Sequence, residues 1–394
     1  MSRDPVPIGR RVAYLRVRRR LSQQSFADRL GKSKSWVDKV ERGVRSLERL
    51  STIREIAAVL RVDAAALLGR DVQPAGVAER REGVAQIRAA LSAYPMAFGR
   101  PADRAVMSPE GLAREVRHVW TTYQHARYPR LVELLPTVVT EAHRAYAQEP
   151  EAGRAAVVEV YRVTAALLVK LGEGSLAWLA ADRAMSAATG DRVLLACAAV
   201  QLGQVLRAST RAGPVMLAAA SQVAPSPRAG TPAELSLRGS LLVQAALIAA
   251  RAGDDRVVGD LLDEAAELAA QVGDGHDHCW TAFGPTAVEL ARVAAAVELG
   301  DGPQAVARHE NAVGRDGWRW LPIEHRPAHL IDAARAYLQT DDPTNAARVL
   351  LRADTIAPAE IRHRPTVREV VAQVARDPNA PPTIHRLAVA LGVG

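Results

Sequence analysis

The chain has 394 residues, 48% of them apolar and 24% charged, which excludes an intrinsically disordered polymer and leaves room for two or three domains. No run of about 18 uninterrupted apolar residues argues for a membrane span, and the two cysteines, Cys197 and Cys279, 82 positions apart, are expected to be reduced and structural rather than paired. The net charge of +8 is unevenly placed: residues 1–50 carry 14 Lys+Arg against 5 Asp+Glu, and the other 344 carry 37 against 38. A bias of 47 arginines to 4 lysines could make a protein basic throughout. Confinement of the excess to one end instead marks an electrostatic footprint for phosphate.

Leu21–Gly43 reads as two short helices around a glycine turn. Ser22 is placed to cap the first helix on the amide of Gln24 or Ser25, and Phe26, Ala27 and Leu30 share one apolar face. Gly31 stands where the chain must turn sharply. Ser33 is placed to cap a second helix with Val37 and Val40 inward, leaving Lys34, Ser35, Trp36 and Lys39 to point out. A short helix with lysine, serine and an aromatic on its outer face suits a DNA major groove. No nucleophile–base pair and no glycine-rich phosphate loop accompanies it.

Leu21-Ser22-Gln23, Ala27, Leu30-Gly31, Ser33, Val37, Val40 and Glu41-Arg42-Gly43 carry a resemblance to the helix-turn-helix domain of the Xre family, related to lambdoid phage repressors and Cro. The resemblance covers residues 8–68. It implies five helices, near 8–19, 23–30, 34–42, 51–60 and 64–68, the third being the recognition helix. It implies that the Gln23 amide reaches a phosphate and that Ser33, Lys34, Ser35 and Lys39 face DNA. Trp36 lies along the sugar–phosphate backbone, touches a thymine methyl, or is a partly buried aromatic against the next helix. Arg16 and Glu41 match positions that form a buried ion pair, and Arg45 and Arg49 follow the recognition helix within reach of phosphates. A lone module of this kind reads half a site, so the DNA partner implies a homodimer.

Turn residues at 69–79 mark a domain boundary, 80–93 reads as a connecting helix, and 94–109, with three prolines, as a loop. From about residue 108, alanine- and leucine-rich helical stretches alternate with breaks near Gly172, Gly213, Gly253, Gly300 and Asp341, about 40 residues apart. This pattern resembles a degenerate tetratricopeptide array, with the glycine and alanine positions recurring and the large aromatic positions mostly Leu or Val. An irregular helical bundle is the alternative. The expected fold is therefore all-α. A helix-turn-helix domain occupies 1–70 and a connecting helix and loop 71–107. A right-handed array of helical hairpins occupies 108–394, acting as sensor and dimerisation domain.

A concave array can hold a peptide or small-molecule effector. Its aromatic and basic clusters supply the candidates Trp280, Phe283, Trp318, Trp320, His325, Arg326 and His329, with packing between hairpins as the competing role. His276-Asp277-His278-Cys279 contains metal-ligating types, but no further ligands stand nearby in sequence, so no metal and no cofactor is expected. No basic residue adjoins Cys279 in the chain, which argues against a reactive thiol. Domain order resembles regulators of Gram-positive bacteria that join an Xre-type module to tetratricopeptide repeats, several of which respond to short peptides. The expectation is a cytoplasmic, non-enzymatic, dimeric transcription regulator. The alternative is a DNA-binding scaffold whose repeats recruit a protein without a small ligand.

Overall fold

The structure is a computed structural model and describes residues 8–19, 21–45, 47, 50–60, 77–93, 107–224, 226 and 230–393. It divides into two units, Met1–Arg81 and Glu82–Gly394. The expected fifth helix at 64–68 and Arg49 lie outside the described residues.

Four helices form the described part of the first unit: α1 (Ile8–Arg18), α2 (Gln23–Leu30), α3 (Lys34–Glu41) and α4 (Leu50–Leu60). Local chemistry sets their ends. The amide of Ser25 donates to Ser22 Oγ at 3.0 Å and that of Trp36 to Ser33 Oγ at 3.1 Å, each cap contributing about 1 kcal/mol. Gly31 takes φ 62° and Lys32 N donates back to Ala27 O at 3.0 Å, which satisfies an end carbonyl of α2 and turns the chain into α3. Val12, Phe26, Ala27, Val37, Ile53, Ile56, Ala57 and Leu60 close the core. These positions recur at helical spacing, so each helix buries one stripe.

The second unit is built of helices alone among the described residues. Helix Val77–Ser92 contributes Val84, Ile87 and Leu91 to its core. Hairpins follow: Pro109–Gln124 with Tyr128–Gln148, Pro150–Leu171 with Gly174–Ala187, Arg192–Val205 with Gly213–Val223, Pro232–Ala252 with Asp255–Val272, Pro285–Leu299 with Gly302–Gly314, and His325–Gln339 with Pro343–Ile356. Each pair packs on itself, and the first helix of each pair packs on the first helix of the next. Hence the two helices of a hairpin read differently in sequence. In Pro150–Leu171 the run Val160–Leu168 is buried all round, whereas Asp255–Val272 buries only the stripe Val258, Leu262, Ala265, Leu268, Ala269 and Val272. Pro232–Ala252 is long and apolar enough to cross a membrane, but most of it is buried here against neighbouring helices.

The hairpin turns share one device. Gly253, Gly300 and Asp341 adopt left-handed φ of 79°, 81° and 56°. The next residue, Asp254, Asp301 or Asp342, accepts the amide three positions on, at 3.2, 3.0 and 2.9 Å. Gly172 is left-handed as well, but Gly213 is helical at φ −52°. The break expected at Gly213 falls earlier, in the short 3-10 turn Thr210–Ala212, because Pro214 starts the next helix. The array curls until its ends meet: Lys170 Nζ donates to Glu324 Oε2 and Glu360 Oε1, both at 2.7 Å, and the Tyr128 hydroxyl donates to Glu360.

Candidate DNA-binding surface

The rear of α3 is held rigidly. Val37 and Val40 are buried, and the Glu41 carboxylate, 7% exposed, receives Arg16 Nε at 2.6 Å, Arg16 Nη2 at 3.0 Å and Gln23 Nε2 at 2.8 Å. Arg16 Nη1 also donates to Leu21 O at 2.7 Å. One guanidinium thus ties α1 to the start of α2 and the end of α3. The bond to Glu41 raises the Arg16 guanidinium above its ordinary value. A Cβ on Gly9 would lie 2.0 Å from Val40 O, so only glycine lets α1 approach the end of α3 this closely.

With its rear fixed, α3 presents Ser33, Lys34, Ser35 and Lys39 exposed. The Ser33 oxygen is occupied by the cap, so its hydroxyl hydrogen is what remains for a phosphate. Trp36 is half-buried and packs against the core of the unit. Gln23 spends one amide hydrogen on Glu41 and keeps a second for a phosphate. Arg45 is exposed beyond the helix, its amide held by Lys39 O at 3.0 Å. Arg42, also exposed, pairs with Asp38 at 2.8 Å. Two free ammonium groups and two hydroxyls on one face of a braced helix can reach base edges and phosphates together.

Residues 7–68 match the family model of a helix-turn-helix domain. The chain carries a helix-turn-helix domain. No curated protein and no solved structure matches the chain. A DNA-binding role follows for this end. Gly9 escaped the sequence reading. Its signal was a glycine inside an otherwise helical, arginine-rich segment.

In the second unit the seven effector candidates separate. Trp320, 70% exposed, and Arg326 line a cleft of about 330 Å³ with Gln124, Asp274 and Asp277, and Phe283 closes its floor. The two carboxylates are already engaged: Asp274 accepts from Thr286 Oγ1 at 2.7 Å and Asp277 from Gln124 Nε2 at 2.6 Å. The Nε of Arg326 is enclosed without a hydrogen-bond partner among the described residues. Trp280 instead lines an apolar cavity of about 480 Å³ with Leu112, Val116 and Ala156, and stacks on Trp120 at 5.6 Å.

Trp318 and His329 are buried in the core, ring edge to ring face, and line neither cavity. His329 Nε2 meets His309 Nδ1 at 2.9 Å, and burial pushes His329 down to about 3 and His309 to about 4. Although four residues away, His325 faces Glu324 at 2.8 Å. Burial pushes His325 down, but the Glu324 carboxylate overrides it and holds the imidazole above its ordinary value.

The sequence neighbours of Cys279 also proved a poor guide. The fully buried Arg162 donates from Nη2 to Cys279 O at 2.9 Å, and Cys279 packs against the buried cluster that holds Cys197.

Proposed function

We propose that this protein is a transcription regulator of the Xre type that binds double-stranded operator DNA as a homodimer. Its second unit, of tetratricopeptide-like architecture, receives a peptide or small-molecule signal. The observation that carries the reading is the braced recognition helix: Lys34, Ser35 and Lys39 exposed on one face, Val37, Val40 and Glu41 locked behind them. One such helix spans half a site, so a dimer with half-sites about one helical turn apart follows. The cleft at Trp320 and Arg326 is the place for an effector. The regulator acts in the cytoplasm and needs no catalytic activity.

Selection from a random duplex pool, followed by footprinting, tests this. The wild type enriches one paired motif, and Lys34→Ala with Lys39→Ala loses protection of it while keeping the helical circular dichroism. The slope of log affinity against log salt becomes shallower by about 0.9 for each lysine that neutralises a phosphate. Unchanged protection by the double variant refutes the assignment.

A further inference from the structure

Cys197 lies on helix Arg192–Val205, 2% exposed, and Cys279 in the 3-10 turn His278–Trp280, half-buried. Eighty-two positions apart in sequence, they come together in one core, Cys279 packing against the buried cluster that holds Cys197, beside the same cation. Arg162 is wholly buried and cannot swing away. Its Nε donates to Gln201 Oε1 at 2.9 Å, one helical turn from Cys197, while Nη2 holds Cys279 O at 2.9 Å and Nη1 holds Glu159 Oε1 at 2.6 Å. Its plane lies over the Trp120 ring at 5.2 Å. The guanidinium is therefore fixed between the helix of one sulfur and the turn of the other.

We propose that Cys279 and Cys197 form a hydroperoxide-responsive site in which Cys279 is the reacting thiol and Cys197 resolves it to an intramolecular disulfide. Two features set the roles. Cys279 is the more exposed of the two. The hydrogen bond from Cys197, and then Arg162, lower the Cys279 thiol against burial, Glu159 and Asp277. The same bond and burial hold Cys197 well above its ordinary range, so it stays a protonated donor until Cys279 is oxidised. A lowered, reachable thiol beside a resolving partner is the arrangement that reacts selectively with peroxide.

The chemistry balances with hydrogen peroxide as oxidant. The Cys279 thiolate attacks one peroxide oxygen and the O–O bond breaks. A sulfenic acid forms, and the departing hydroxide takes a proton and leaves as water. Cys197 sulfur then attacks the sulfenic sulfur. The S–S bond forms, the S–O bond breaks, and the leaving hydroxide takes the Cys197 proton as a second water. Two thiols lose two electrons and one peroxide gains them.

The turn is placed to transmit this. Cys279, Trp280 and Ala282 hold φ of 54°, 60° and 47°, a left-handed region that costs non-glycine residues about 1–3 kcal/mol each unless their surroundings fix them. Asp277 fixes them by accepting the Ala282 amide at 2.9 Å. Closing the sulfurs to a bond of about 2.0 Å draws Cys279 toward the helix of Cys197 and displaces the adjoining Trp280, which lies within 5° of parallel to Trp120.

The test uses reduced full-length protein, hydrogen peroxide, and peptide mapping without reductant. A monomeric chain with the Cys197–Cys279 cross-link, two hydrogens lighter, reversed by dithiothreitol and accompanied by a change in tryptophan fluorescence, supports the site. Under the same dose Cys197→Ser gives a dimedone-trapped sulfenic acid at Cys279, and Cys279→Ser leaves Cys197 fully alkylatable after denaturation. Two alkylatable thiols in treated wild type, a cross-link found only between chains, or oxidation of Cys197 at the wild-type rate in Cys279→Ser overturns it. The wild-type map decides even if a variant fails to fold, and its outcome is independent of DNA binding.

Discussion

Replacing Glu41 with alanine tests how the helix-turn-helix domain is held. The carboxylate receives three hydrogen bonds, from Arg16 Nε at 2.6 Å, Arg16 Nη2 at 3.0 Å and Gln23 Nε2 at 2.8 Å. The paired side chains are only 12% and 6% exposed. Alanine leaves the guanidinium enclosed without a counter-charge, a loss of about 3–5 kcal/mol. Arg16→Met strands the carboxylate at a similar cost. A domain of this size holds about 3–8 kcal/mol in all, at roughly 0.05–0.15 kcal/mol per residue, so either single variant brings it close to unfolding. Arg16→Met with Glu41→Ala removes both charges together, and its loss is smaller than the sum of the singles by at least about 2 kcal/mol. The assay is urea unfolding of full-length protein, read by hydrogen–deuterium exchange in peptides from residues 8–45. DNA binding follows the same order, lost in the singles and recovered in the double variant, because Lys34 and Lys39 are untouched. Singles that each cost under about 1 kcal/mol and simply add would refute the bracing argument and reduce the pair to a surface contact.

Gly9→Ala places a methyl 2.0 Å from Val40 O. Backbone must shift, and the cost is about 1–3 kcal/mol with weaker operator binding; a variant of wild-type stability and affinity contradicts the close approach. Stability also falls with acid. Burial depresses His143 to about 4, His309 to about 4 and His329 to about 3. An unfolded histidine takes its proton near 6.5, so the unfolded chain binds protons that the folded one refuses. Their contribution is complete above about pH 6.5 and declines as pH falls toward about 4, by roughly 2 kcal/mol per histidine at pH 5. Urea midpoints equal at pH 7.5 and pH 5 would exclude it.

What could be read in the sequence was what is decided locally. Ser22, Gly31 and Ser33 act on amides and carbonyls a few residues away, so caps and turn were visible before any coordinates. The glycine or aspartate turns of the hairpins were visible for the same reason, except at Gly213, where the following proline outweighs the glycine. Gly9 could not be read this way because its constraint is a carbonyl 31 positions on. The effector candidates fared unevenly because helical spacing cannot distinguish a side chain facing a cleft from one facing the next helix. Trp320 and Arg326 reached a cleft, and Trp318 and His329 went into the core. Arg162 and Cys279, 117 positions apart, leave no local trace of their contact.

Lysine usage carries information that charge counting hides. Arginine outnumbers lysine 47 to 4, so a lysine here is a departure from the prevailing choice of cation. Three of the four, Lys32, Lys34 and Lys39, stand exposed in or just before α3, each a compact, rotatable ammonium. The fourth is Lys170, 11% exposed, bridging Glu324 and Glu360 where the ends of the curled array meet. Burial pushes the Glu324 carboxyl up, yet His325 and Lys170 together hold it well below its ordinary value. Two carboxylates from separate segments of the chain, each 2.7 Å from one nitrogen, ask for a point charge with three donors. A planar fork would favour one carboxylate bidentately and pull it from the other. The same physical property, a small cation without a fixed plane, thus accounts for lysine on the exposed face of α3 and at the closure of the array.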